Sequence, residues 1–268
     1  MIELKHGVPS PLWDGIVPLG HGDQIKVDLP TITPYFPPVW KANRKAIVIL
    51  PGGAYALYGE HEGGGYAEYF ANLGYHCFVV HYRLGSNKYH HPAEISDAAR
   101  GIRLVRSLAK DLNLREDCIG IMGSSAGGHL AASLANMYEQ ALIAEDEGET
   151  GKISSRPDWQ ILCYPVITGG KFANKPSFQY LLGEDYTEEN AIRMGQENNV
   201  NANTPPAFIW HTMEDTAVPV ENSIMYAQAL REQNIPFELH IYQKGPHGRG
   251  LFQGHQWAQE CERWLATF

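Results

Sequence analysis

The pentapeptide Gly123-Ser124-Ser125-Ala126-Gly127 sets a serine among small residues. It follows the apolar run Cys118–Met122 and precedes a helical pattern over Ala126–Gln140. A strand, a sharp turn and a helix in that order form the setting of a nucleophile elbow, where the backbone is strained and the hydroxyl projects from the top of a sheet. The small neighbours relieve the crowding. The N–H of Ala126, at the start of the helix, would face a developing oxyanion. A bare G-x-S-x-G also arises by chance, and the plain alternative is a glycine-rich turn with an inert serine.

A hydroxyl is a weak nucleophile at neutral pH, so Ser125 needs a base, and the base needs an orienting carboxylate. For this kind of elbow the chain order is Ser, then Asp or Glu, then His. Asp215 lies just beyond the apolar run Ala207–Trp210, and His247 lies in Gly245-Pro246-His247-Gly248, beyond Phe237–Tyr242. Both expected positions are at strand carboxyl ends, on the side of Ser125. Glu214 is the rival acid, and Asp215 could instead cap the helix expected from Pro219. His211 and His255 are the rival bases. His211 is too close to the strand end that carries the acid, and His255 reads as structural. The second half of an oxyanion hole should follow an early strand. Pro51-Gly52-Gly53-Ala54-Tyr55 directly follows Ala46–Leu50, and the N–H of Gly53 or Ala54 is the expected donor.

These loops need a scaffold. Ala46–Leu50 reads as a short buried strand, and Cys77–Val80, Cys118–Met122, Gln160–Val166, Ala207–Trp210 and Phe237–Tyr242 as further strands. Between them lie helical patterns at Tyr66–Leu73, from Pro92 through Val105, at Ala126–Gln140, at Pro219–Asn234 and at Gly254–Phe268. Alternating strands and helices predict a mostly parallel α/β sheet covered on both faces, with ligands beyond the carboxyl ends of the strands. Residues 1–40 read as an irregular wrap with edge strands, including a weak strand signal at Gln24–Leu29. Residues 146–158 read as a surface loop. Residues 168–206 carry no strand and are either a lid or binding wall or a structural excursion. Tyr55 and Trp210 are positional candidates for substrate contact.

The chain has 268 residues, a length compatible with a single domain spanning 1–268. With 21 basic and 30 acidic residues its formal net charge is −9, which disfavours nucleic acid and anionic lipid as partners. No apolar run approaches the roughly 20 residues that span a bilayer. The first residues, Met1-Ile2-Glu3-Leu4-Lys5-His6-Gly7, lack a basic stretch followed by an apolar one, so no signal peptide is expected. The four cysteines read as small buried residues of a reduced cytosol, which predicts a cytoplasmic protein. No metal is expected: His61-Glu62-Gly63-Gly64-Gly65 lacks the second His of a zinc helix, and the adjacent His90 and His91 cannot both face one ion. No glycine-rich phosphate loop is present, so no cofactor is expected.

Four stretches carry a family resemblance: Pro51–Tyr55, Gly123-Ser124-Ser125-Ala126-Gly127-Gly128-His129-Leu130, Pro219-Val220-Glu221-Asn222-Ser223 and Lys244-Gly245-Pro246-His247-Gly248. Together they resemble the acetyl esterase and feruloyl esterase-like group of α/β-hydrolases, which includes xylan acetylesterases. The resemblance runs from about Leu12 to the end. It implies the α/β-hydrolase fold and a metal-free serine esterase that removes small acyl groups, often acetyl, from sugar hydroxyls. By position it implies Ser125, Asp215 and His247 as the catalytic residues, with backbone donors near Gly53, Ala54 and Ala126. The implied partner is a small ester such as an acetylated sugar; oligomeric state stays open, a homo-oligomer included. Pro51 stands where many members of the wider lipase–esterase group have His, a position that supports the loop without transferring protons. Two other readings are a peptidase or amidase on the same fold and an inactive hydrolase used for binding.

Overall fold

The computed structural model describes residues 4–22, 25 and 28–268. Half of the weak strand signal at Gln24–Leu29, positions 24, 26 and 27, lies outside these residues. Eight strands form one sheet: β1 (Ser10–Pro11), β2 (Thr31–Tyr35), β3 (Ala46–Leu50), β4 (His76–His81), β5 (Ile119–Ser124), β6 (Gln160–Cys163), β7 (Ala207–Thr212) and β8 (Phe237–Tyr242). Their spatial order is β1-β2-β4-β3-β5-β6-β7-β8. The β1–β2 and β2–β4 pairs are antiparallel. All the others are parallel. The carboxyl ends of β3, β5, β7 and β8 therefore share one edge, and the loops after them meet there.

Side-chain alternation along β3 divides the core in two. Val48 and Leu50 pack into one cluster with Ile102, Ile121 and Leu130. Ile47 and Ile49 pack into the other with Phe70, Met122, Trp257 and Trp264. The first cluster is closed by α2 (Ala93–Ser107), α3 (Ser125–Met137) and α7 (Glu221–Glu232). The second is closed by α1 (Glu60–Asn72) and α8 (Trp257–Leu265). All five residues of β3 are buried, as a central parallel strand with both faces covered requires. All four cysteines are free and buried.

Three expectations need correction. The helix expected at Tyr66–Leu73 begins at Glu60, because Gly63 lets it approach Val79 and Pro51: a Cβ there would stand 3.1 Å from Val79 Cγ1. The strand expected at Gln160–Val166 stops at Cys163, since Tyr164 has φ 36° and Pro165 has no N–H to donate. Residues 146–158 are not simply a surface loop. They include α4 (Gly148–Gly151), and the buried Glu147 carboxylate accepts from Arg103 Nε at 2.6 Å and Arg100 Nη1 at 3.1 Å. The segment 168–206 has no strand, and it contains α5 (Lys175–Leu182) and α6 (Glu188–Arg193).

Candidate active site

Ser125 sits at the junction of β5 and α3 with φ 53°, a left-handed conformation that costs an L-residue energy. Close packing enforces the turn. A Cβ on Gly123 would stand 2.0 Å from Gly127 O, and one on Gly127 would stand 2.2 Å from Leu50 O. Only glycine fits at either position, which explains the G-x-S-x-G spacing sterically.

His247, on the loop after β8, brings Nε2 to 2.8 Å from Ser125 Oγ. Its Nδ1 lies 2.6 Å from Asp215 Oδ2. An ionised carboxylate only accepts, so Nδ1–H donates to Asp215 and Nε2 is left to accept from the serine hydroxyl. The other oxygen of Asp215 accepts from the N–H groups of Ala217 and Val218 at 3.0 and 2.9 Å. Asp215 therefore orders its own loop, and α7 begins later, at Glu221. Burial opposes ionisation of Asp215, but the hydrogen bonds from His211, His247 and Val218 prevail and hold the carboxyl well below the ordinary range.

The rivals lie elsewhere. Exposed Glu214 accepts from Gly245 N–H at 3.2 Å and bonds to neither ring nitrogen of His247. His211 is fully buried: its Nε2–H donates to Val218 O at 2.9 Å and faces Asp215 Oδ2 at 3.2 Å, while Nδ1 accepts from Ser223 Oγ at 2.7 Å. It supports Asp215 from behind. His255 lies just before α8, not on it, with Nε2 2.6 Å from Lys244 O and its ring stacked on Tyr242.

The loop after β3 holds three consecutive residues at positive φ: Gly53 at 134°, Ala54 at 56° and Tyr55 at 60°. Such a run persists only where the surroundings over-determine it. Here Gly53 O accepts from the N–H groups of Ala56 and Leu57, Gly52 O from that of Gly59, and Tyr55 O from that of Gly85. Tyr55 Oη lies 2.8 Å from His129 Nδ1. Burial pushes the His129 imidazole down to about 4, so the neutral ring can accept from Tyr55 while Nε2–H donates to Met194 O at 2.9 Å. Gly53 and Ala54 face the same cavity as Ser125 and His247. Ala126 is buried at the first turn of α3, where backbone N–H groups have no partner within the helix.

The cavity measures about 360 Å³. Its small lining residues include Gly52, Ala56, Ala217 and Gly248. Asn174 and Ser177, from the 168–206 segment, close one side. Among the described residues, no group of three or more His, Cys, Asp or Glu side chains could hold a metal ion. No helix among them is long and apolar enough to cross a membrane.

Two positional candidates for substrate contact are corrected. Trp210 is fully buried beneath the sheet edge, stacked on Trp257 with ring centroids 4.9 Å apart. Alternation along β7 points it into the core. The Tyr55 ring is 1% exposed and does not line the cavity, because its hydroxyl is drawn inward to His129.

Sequence reasoning missed Glu62, Tyr164 and the supporting role of His211. Glu62 is 4% exposed and borders the cavity. It appeared only within a failed zinc pattern. The available signal was its spacing of four and eight residues from Tyr66 and Phe70, which places a carboxylate on the buried face of α1.

A family model described as BD-FAE matches residues 33–230. Endo-1,4-beta-xylanase B of Butyrivibrio fibrisolvens is 39% identical over 208 residues, covering 77% of this chain and 32% of that protein. An acetylxylan esterase of Xylanibacter ruminicola is 35% identical over 233 residues, covering 83% of this chain and 45% of that protein. The chain thus spans less than half the length of either relative. Among solved structures, the acetyl ester-xyloside bifunctional hydrolase of Caldicellulosiruptor lactoaceticus superposes with a TM-score of 0.88 at 36% identity, covering 98% of this chain and 97% of that one. The chain belongs to the BD-FAE family and has the α/β-hydrolase fold.

Proposed function

We propose that this protein is a serine carboxylesterase that removes small acyl groups, above all acetyl, from the hydroxyls of sugars or xylo-oligosaccharides. The observation that carries this reading is the unbroken relay Ser125 Oγ–His247–Asp215, with links of 2.8 and 2.6 Å, on the wall of a cavity of about 360 Å³ to which Gly and Ala residues contribute much of the lining. The likeness to an acetylxylan esterase and to an acetyl ester-xyloside hydrolase supports the acyl group and the alcohol.

In this mechanism His247 Nε2 takes the Ser125 proton as Oγ attacks the ester carbonyl. The N–H groups of Gly53 or Ala54, together with that of Ala126, receive the negative charge on the carbonyl oxygen. The ester C–O bond then breaks, and His247 returns its proton to the departing alcohol. Water repeats the sequence on the acyl-serine, releasing the acid and restoring the hydroxyl. Asp215 holds the imidazole in the tautomer that leaves Nε2 free to accept.

The test is hydrolysis of 4-nitrophenyl acetate and of acetylated xylo-oligosaccharides by wild type and Ser125→Ala, with fluorophosphonate labelling alongside. The expected result is labelling of Ser125 in wild type, no turnover by the folded variant, and faster release of acetyl than of butyryl or feruloyl groups. Turnover by Ser125→Ala at the wild-type rate would reject the mechanism. Inertness toward every acetylated sugar, with hydrolysis of simple aryl esters retained, would reject the substrate class.

A further inference from the structure

Glu62 sits within the wall of the cavity, and both of its oxygens are committed. Oε2 accepts from Gly52 N–H at 2.8 Å, at the root of the strained loop whose next residues are Gly53 and Ala54. Oε1 accepts from Tyr164 Oη–H at 2.6 Å. The Tyr164 ring lies edge-on to the His247 imidazole, with centroids 5.0 Å apart. Its hydroxyl is also 3.1 Å from Tyr66 Oη, which is 3.4 Å from Ser124 Oγ. One buried carboxylate thus ties the loop after β3 to the ring beneath His247. The adjacent residue adds a second tie, because His61 Nε2 lies 2.6 Å from Gly248 O.

We propose that Glu62 is a positioning residue. It braces the oxyanion-hole loop through Gly52 and sets the floor under His247 through Tyr164, so that the backbone donors and the imidazole keep their spacing about Ser125. This inference rests on the proposed serine mechanism. Burying a carboxylate is costly, and desolvation raises its pKa despite the hydrogen bonds from Tyr164 and Gly52. A close salt bridge does not account for its burial, since the basic side chain paired with it among the described residues, His61, stands 4.0 Å away. Two fixed donors that both lead into the site do explain it. Glutamine can fill the same place: Oε1 would accept from Gly52 N–H, Nε2 would donate to Tyr164 Oη, and Tyr164 would donate to Tyr66. Alanine would leave Gly52 N–H and Tyr164 Oη without their acceptor.

The experiment compares wild type, Glu62→Ala, Glu62→Gln, Tyr164→Phe and Ser125→Ala. It measures kcat and KM for 4-nitrophenyl acetate and inhibition by phenylboronic acid, whose serine adduct places an oxygen on the same donors. Loss of one hole donor costs about 100- to 1000-fold, and a displaced donor should cost less, so Glu62→Ala is expected to lower kcat by about 10- to 100-fold with KM little changed. Its boronate inhibition constant should rise by a similar factor, and Glu62→Gln should recover most of both losses. Tyr164→Phe keeps the ring and deletes one hydroxyl, so it serves if Glu62→Ala does not fold; its kcat should fall severalfold. A folded Glu62→Ala with wild-type kcat and boronate affinity would overturn the brace, as would Glu62→Gln no better than Ala or Tyr164→Phe with unchanged kcat. Activity retained by Ser125→Ala would instead sink the serine mechanism, which keeps the two failures apart.

Discussion

Two loops meet over Ser125, and they are held in opposite ways. The loop after β3 is tied inward: Gly52 to buried Glu62, Tyr55 to buried His129, and Pro51 O to buried Tyr82 Oη at 2.7 Å. The loop after β8 is tied mainly at its flanks. Thr212 Oγ1 donates to Gly245 O at 2.7 Å, exposed Glu214 accepts from Gly245 N–H, and His61 holds Gly248 O. The difference follows from what each loop is proposed to present. The first offers backbone N–H groups, which move only if the chain moves, so the main chain itself must be fixed. The second offers a side chain, and the 2.6 Å bond to Asp215 aims the imidazole directly.

If both loops serve one reaction, removing either reacting group should disable it almost completely. Ser125→Ala and His247→Ala are each expected to lower kcat for 4-nitrophenyl acetate by about 10⁴- to 10⁶-fold, and the double variant should lose little more. Multiplying losses would break the picture of one unit. Acid should disable the second loop selectively. Protonated His247 cannot accept from Ser125, so kcat/KM should fall about tenfold per pH unit on the acid side. Asp215 adds nothing there, because its depressed pKa keeps it ionised until the pH falls below the ordinary carboxylate range. A profile that does not fall toward acid would count against His247 as base.

Smaller changes sharpen the contrast. Tyr55→Phe removes one inward tie of the first loop; kcat should fall about tenfold, with about 1–3 kcal/mol lost in denaturant unfolding, the usual range when a buried partner is left unsatisfied. Thr212→Val loosens one flank of the second loop and should cost only about two- to threefold in kcat, since Asp215 still aims the ring. If the two variants lost activity equally, the proposed difference between the loops would be wrong.

Much of this arrangement was legible beforehand, for local reasons. The bounds of β3 match its apolar run residue for residue, because a central strand covered on both faces must be apolar throughout and a turn must interrupt it; β8, at the edge of the sheet and only half-buried, keeps its expected bounds while carrying Glu238 and His240. Ser125, Asp215 and His247 were readable because each follows a strand of a parallel sheet, and parallel strands send their carboxyl ends to one edge. Spacing along α1 could place Glu62 on the buried face but could not give its partners, since its donors come from positions 52 and 164. Trp210 misled for a related reason. Its place near a strand end fits a binding site, but which face of the sheet a side chain occupies is decided by the packing of β7 against α8.

The sequence by itself determined the order of strands and helices, the glycines flanking Ser125, and the residue types able to transfer a proton, because these depend on neighbours along the chain. Only the tertiary structure decided that His211 backs Asp215, that Tyr55 anchors a loop without lining the cavity, and that Asn174 and Ser177 help to close it. Those outcomes depend on distances between segments far apart in sequence, set when both faces of the sheet are covered and the polar groups left at its edge must find one another.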